Sequence, residues 1–102
     1  MNLEERMEKA LAYLIDTDEQ AADLRADMLR AENRHKLTID AHFMALQGGV
    51  EQRKAQARLK AEPAYNEYLE AVKAYDAVAN KRRSEAIVID ALRTLFANRR
   101  QG

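Results

Sequence analysis

Pro63-Ala-Tyr-Asn-Glu-Tyr-Leu-Glu-Ala-Val-Lys-Ala-Tyr75 opens a run that reaches Arg100 without another Pro or Gly. Pro63 suits the first position of a helix, where its missing N–H costs nothing. Tyr65, Tyr68, Leu69, Val72, Tyr75 and Ala79 follow at helical spacing, and Ala86, Ile89, Leu92, Leu95 and Phe96 continue it. Between these two stripes lies a polar belt, residues 80–85. At ~1.5 Å per residue the run spans about 55 Å as a helix. A compact chain of this length has a radius of gyration of only ~13 Å. Such a helix needs a long partner beside it.

The partner lies upstream of Gly48-Gly49, a helix-stop signal. Ala21, Leu24, Met28 and Ala31, then Leu37, Ala41, Met44 and Ala45, give an apolar stripe over residues 18–47. Continued strictly, its 4-3 spacing passes through His35, Thr38 and His42, so the middle of this helix has a polar seam. Asn2 with Glu5 forms a capping-box pattern, and Leu3, Met7, Leu11, Leu14 and Ile15 then predict a short helix over residues 3–15. Asp16-Thr17-Asp18-Glu19 reads as a stop and restart. Residues 50–61 are helix-prone but poor in apolar side chains, and read as a short helix or helical linker. The expected fold is all-α: one domain over residues 1–102, a long antiparallel, coiled-coil-like helical hairpin with a short N-terminal helix. Its elements would be residues 3–15, 18–47, 50–61 and 63–100. Tyr65, Tyr68, Val72, Tyr75, Ile89, Leu92 and Phe96 should be buried in the hairpin or between chains, and a homodimer or higher oligomer would cover what a hairpin leaves bare.

The formal net charge is zero, with 17 basic and 17 acidic residues. Residues 1–47 nevertheless carry 6 Lys/Arg against 10 Asp/Glu, and residues 48–102 carry 11 against 7. Two readings of this asymmetry stand. In one, the acidic start of the second helix (Asp18, Glu19, Asp23, Asp27) lies beside the basic end of the last (Arg93, Arg99, Arg100), and the charges pair within the fold. In the other, Lys81, Arg82, Arg83, Arg99 and Arg100 clamp the phosphates of a nucleic acid, with tyrosines for base stacking.

Other chemistries find little footing. Cysteine is absent, which removes disulfides, thiolate ligands and a thiol nucleophile. There is one serine, Ser84, and no phosphate-binding or dinucleotide glycine motif. Glu32-x-x-His35 has the spacing of a carboxylate-bridged metal bundle, but completing it would require Glu85 from the last helix. The expectation is no enzyme, no cofactor, no metal and no small-molecule substrate. Residues 1–15 lack the apolar run of a signal peptide, and no stretch is apolar enough to span a membrane. The expected location is the cytoplasm of a host cell.

Ala79-Asn80-Lys81-Arg82, residues 86–94 and Ala97-Asn98-Arg99-Arg100-Gln101-Gly102, together with Leu11-Ala-Tyr-Leu14 and Thr17-Asp18-Glu19, resemble a group of small helical proteins of tailed bacteriophages and prophages. The resemblance covers about half of the chain. It departs at Leu92, where Trp is more usual, and at Leu95-Phe96. It implies a phage origin and a place among early genes of DNA replication or recombination, with no established activity and no catalytic residues. The leading expectation is therefore a non-enzymatic accessory protein that binds DNA or a DNA-handling protein. The alternatives are a structural or adaptor coiled coil, and an inhibitor docking on a host protein, where Asp16, Asp18, Glu19 and Asp23 would imitate nucleic acid.

Overall fold

The computed structural model describes residues 1–101. They form three helices: α1 (Leu3–Ala45), α2 (Val50–Lys60) and α3 (Glu62–Gln101). The expected all-α architecture with two long helices is present. The separate N-terminal helix is not, because residues 3–15 are the first turns of α1 itself. Thr17 explains why no break occurs. Its hydroxyl donates to the Tyr13 carbonyl at 2.6 Å, four residues back, and so does not cap a new helix. Asp18 meets an arginine of α3. Asp and Thr cost at most ~0.7 kcal/mol each within a helix, which packing readily exceeds.

Asn2 caps α1 as its sequence predicts. Its Oδ1 accepts the Glu5 backbone N–H at 2.8 Å, and its Nδ2 donates to the Glu5 carboxylate at 3.1 Å. At the other end, residues 46–49 turn the chain into α2. Gly48 has φ +118°, which an L side chain rarely adopts. The passage from α2 to α3 is a bend, not a loop. Ala61 and Tyr65 still donate to the carbonyls of Ala57 and Ala61 at 3.0 Å each. Pro63 has no N–H to give the carbonyl four residues before it, which weakens the ladder at that point.

By backbone proximity the chain divides into two units, Met1–Ala22 with Asp76–Gly102, and Asp23–Tyr75. In the first, the start of α1 runs antiparallel to the end of α3: Arg6 meets Glu85, and Arg82 meets residues 14–18. Ala10, Ile89 and Leu92 form its buried core. In the second, the rest of α1 packs with α2 and with α3 up to Tyr75 around Ala31, Ala57 and Ala61. His35 and Tyr65 face each other there, again in antiparallel sense, with ring centroids 5.2 Å apart.

The same 4-3 spacing underlies the contacts within each unit. On α1 a 4-3 alternation starts at Leu3, Met7, Ala10 and Leu14 and keeps its spacing through His35, Thr38 and His42. Every position on it is buried or half-buried. The matching line starts at Ala61, just before α3, and runs along α3 through Ala64 and Tyr68 to Ile89, Leu92 and Phe96. Ala64, Ala71 and Val78 recur on it every seven residues, all half-buried, and side chains this small let two backbones approach. Of the seven side chains expected to be buried, Ile89 and Leu92 are (5% and 7% exposed), Tyr68, Val72, Tyr75 and Phe96 are half-buried, and Tyr65 is exposed. Tyr65 stands one place beyond the seam residue Ala64, so the smaller neighbour takes the interior.

Candidate functional site

Two surfaces merit attention: a groove in the second unit, and the cations of α3 in the first.

The groove forms where α1, α2 and α3 converge. It is an open groove of about 750 Å³, lined by His35 and Ile39 of α1, Ala55, Arg58 and Leu59 of α2, and Glu62 and Tyr65 of α3. A smaller trough of about 270 Å³ continues it along Asp40, Phe43 and Lys54, sharing Ile39 and Arg58. Residues 50–61, expected from sequence as a short helix or helical linker, contain α2, which builds one wall. The signal was Ala57 and Ala61, spaced by four and each 0% exposed, which anchor α2 with no large apolar side chain. Leu59 then points outward and is 71% exposed. Arg53 lies on the Phe43 ring, its guanidinium carbon 4.4 Å from the centroid. Its buried Nε has no hydrogen-bond partner, a cost that the cation–π contact offsets in part.

The groove's lining combines the apolar Ile39, Leu59 and Tyr65 with the charged Arg58 and Glu62. Neither Arg58 nor Glu62 makes an ion pair among the described residues. Such a surface can seat apolar side chains and orient them by charge.

The five predicted phosphate-binding residues have different fates. Arg82 sits on the seam, half-buried. Its guanidinium donates to the Leu14 carbonyl and the Thr17 hydroxyl at 2.7 Å each, and to Asp18 at 3.2 Å. Lys81 lies over the Tyr13 ring, 4.5 Å from its centroid. Arg83, Arg99 and Arg100 are exposed; Arg83 reaches only Asn80, and Arg99 lies 5.8 Å from the Phe96 ring centroid. None of these three makes an ion pair among the described residues.

The expected pairing of the acidic stretch with Arg93, Arg99 and Arg100 does not occur. Asp18 pairs with Arg82, and Asp27 with Arg30 of its own helix at 2.6 Å. The reason is register. With residues 3–15 belonging to α1, the end of α3 lies beside the start of α1, and Arg6 binds Glu85 through both carboxylate oxygens at 2.7 and 3.0 Å. The polar belt of α3 accordingly meets Arg6 and residues 14–18, not the polar stretch around His35. The Arg6 hydrogen bonds hold the Glu85 carboxyl below its ordinary range, with the charges of Arg6 and Lys81 acting in the same sense.

The imagined metal bundle is likewise dispersed. Glu85 is held by Arg6, Glu32 pairs with Lys36 at 3.0 Å, and His35 tilts against Tyr65. Among the described residues no three potential ligands cluster. No helix in them is long and apolar enough to cross a membrane. Comparison with family models, with curated proteins and with solved structures finds no match.

Proposed function

We propose that this chain is a non-enzymatic helical docking protein, working by protein–protein contact through the groove of its second unit. The observation that carries the reading is the exposed apolar surface there: Leu59 at 71% and the exposed Tyr65 line a groove whose Arg58 and Glu62 have no ionic partner among the described residues. Apolar surface gathered around a concave site marks an interaction surface more often than isolated exposed residues do. The likeness of residues 79–82, 86–94 and 97–102, with 11–14 and 17–19, to small tailed-phage proteins supports a setting in DNA replication or recombination, with a DNA-handling protein as partner; a host enzyme held inactive is the variant of this reading. The test compares captures on immobilised wild-type chain and on a Leu59→Lys, Tyr65→Lys chain of equal helicity, using lysate of the source cells. A defined set of proteins should be retained by the first and lost from the second. Identical captures would overturn the reading.

Direct nucleic-acid binding is the second reading, favoured by the exposed Arg83, Arg99 and Arg100, which are ionically unpaired among the described residues. Labelled single- and double-stranded DNA should then gain anisotropy with the chain and lose it steeply as salt rises. Arg99→Ala with Arg100→Ala should weaken this binding. No binding at low salt would remove the reading.

A further inference from the structure

The seam leaves a second apolar line on each long helix. On α1, Ile15, Ala22 and Leu29 recur every seven residues beside the seam; on α3, Tyr65 and Val72 do so, with Leu69 between them. In the second unit these lines share one side, because Ile39 of α1 and Tyr65 of α3 line the same groove. Leu29 is 48% exposed and Leu69 38%. His35 faces Tyr65, so six residues along each antiparallel helix brings Leu29 level with residues 69–71. The same side carries Arg25, Glu32 and Lys36 on α1, Arg58 on α2 and Glu62 on α3. Lys36 and Glu62 lie at the level of the His35–Tyr65 contact, one on each helix. Lys36, with its side chain 67% exposed, pairs with the half-buried Glu32 of its own helix, and its ammonium can exchange partners.

We propose that the occupant of this face is a second copy of the chain, packed with its α3 over α1 of the first and its α1 over α3, about a two-fold axis parallel to the helices. The inference rests on the docking reading and names its first partner. The face is self-complementary in that arrangement. Leu29 meets the second copy's Leu69 and Lys36 meets the second copy's Glu62, and symmetry repeats both contacts. The four helices would close a bundle around the lines that each pair leaves open, and the seam within each chain would stay as it is.

Sedimentation velocity over roughly 1–300 µM, a range chosen for a micromolar dimer, tests this. Wild-type chain should pass from monomer to dimer. Leu69→Lys, exposed and so neutral to the fold of the monomer by circular dichroism, should raise the dissociation constant at least tenfold. Lys36→Glu and Glu62→Lys should each weaken the dimer, and the two together should restore it. A mixture of Leu29→Cys and Leu69→Cys chains should form the mixed disulfide faster than either chain forms its own. A wild-type chain that stays monomeric overturns the inference, as does a dimer indifferent to Leu69→Lys or a double charge exchange that fails to restore association. The docking reading is judged separately, by whether the lysate captures depend on Leu59 and Tyr65.

Discussion

Glu85 occupies a seam position of α3 where an apolar residue would be ordinary, and Arg6 meets both of its oxygens. Its folded pKa lies below the ordinary value of 4.5 because the Arg6 hydrogen bonds favour the carboxylate. The sign of the pH effect follows. The unfolded chain takes up the proton first as pH falls, so the pair's contribution is fully present above about pH 4.5 and is lost as pH drops through the lowered folded value. Urea melts of wild type should therefore lose midpoint below that pH, and Glu85→Gln should show a shallower decline while starting lower at pH 7. Parallel curves for the two proteins would show that Arg6 does not couple to Glu85 in solution. Gly48 gives a second test at this scale. A Cβ there would stand 3.1 Å from the movable Gln52 side-chain oxygen, so space is not the main obstacle. The φ of +118° is, and Gly48→Ala should cost about 1–2 kcal/mol in thermal or urea melts. Gly49→Ala, which has open space and φ −67°, should cost far less.

At the scale of elements, the helix ends and the long pairing were legible from sequence, and other features were not. The ends were readable because their chemistry is local: Asn2 with Glu5 at the start of α1, Gly48 after its end, and Pro63 beside the bend. The long pairing was readable because Leu24, Met28, Ile89 and Leu92 repeat at helical spacing. The continuity of α1 through Asp16-Thr17-Asp18 was not readable, since residues that cap a helix in one context bond backward within it in another. α2 was under-read because alanine, not a large apolar residue, anchors it. The groove was hidden for the same reason, and the engagement of Arg82 depends on a register that the misplaced break had shifted. Leu92 and Ala57 test the two kinds of packing. Leu92→Ala removes one of the two large apolar side chains buried in the first unit and should cost about 2–5 kcal/mol. Ala57→Leu offers a side chain no space between α1 and α2; overpacking at the 0% exposed position should cost about 1–3 kcal/mol. Hydrogen exchange should report faster exchange in α2 of that variant, with unchanged rates in the first turns of α1.

At the scale of the molecule, the decisive fact is how little is fully inside. Six residues form the buried core of the described chain, four of them alanines, and no large side chain there is fully enclosed. Full burial of a Leu or Ile contributes about 1.5–3 kcal/mol, against a backbone ordering cost of about 1–2 kcal/mol per residue. A chain that encloses so few large side chains draws only modest stability from its own seam, and covering the second apolar lines of α1 and α3 should add to it by mass action. The midpoint of thermal unfolding should therefore rise with protein concentration, by several degrees between about 2 and 200 µM, and the rise should vanish for Leu69→Lys. Salt should lower the midpoint of the concentrated sample more than that of the dilute one, because the Lys36–Glu62 pairs between copies are screened while Ile89 and Leu92 are not. A midpoint independent of concentration over that range would mean that the seam of alanines and half-buried tyrosines folds by itself, and that the outer face is kept bare for a different protein.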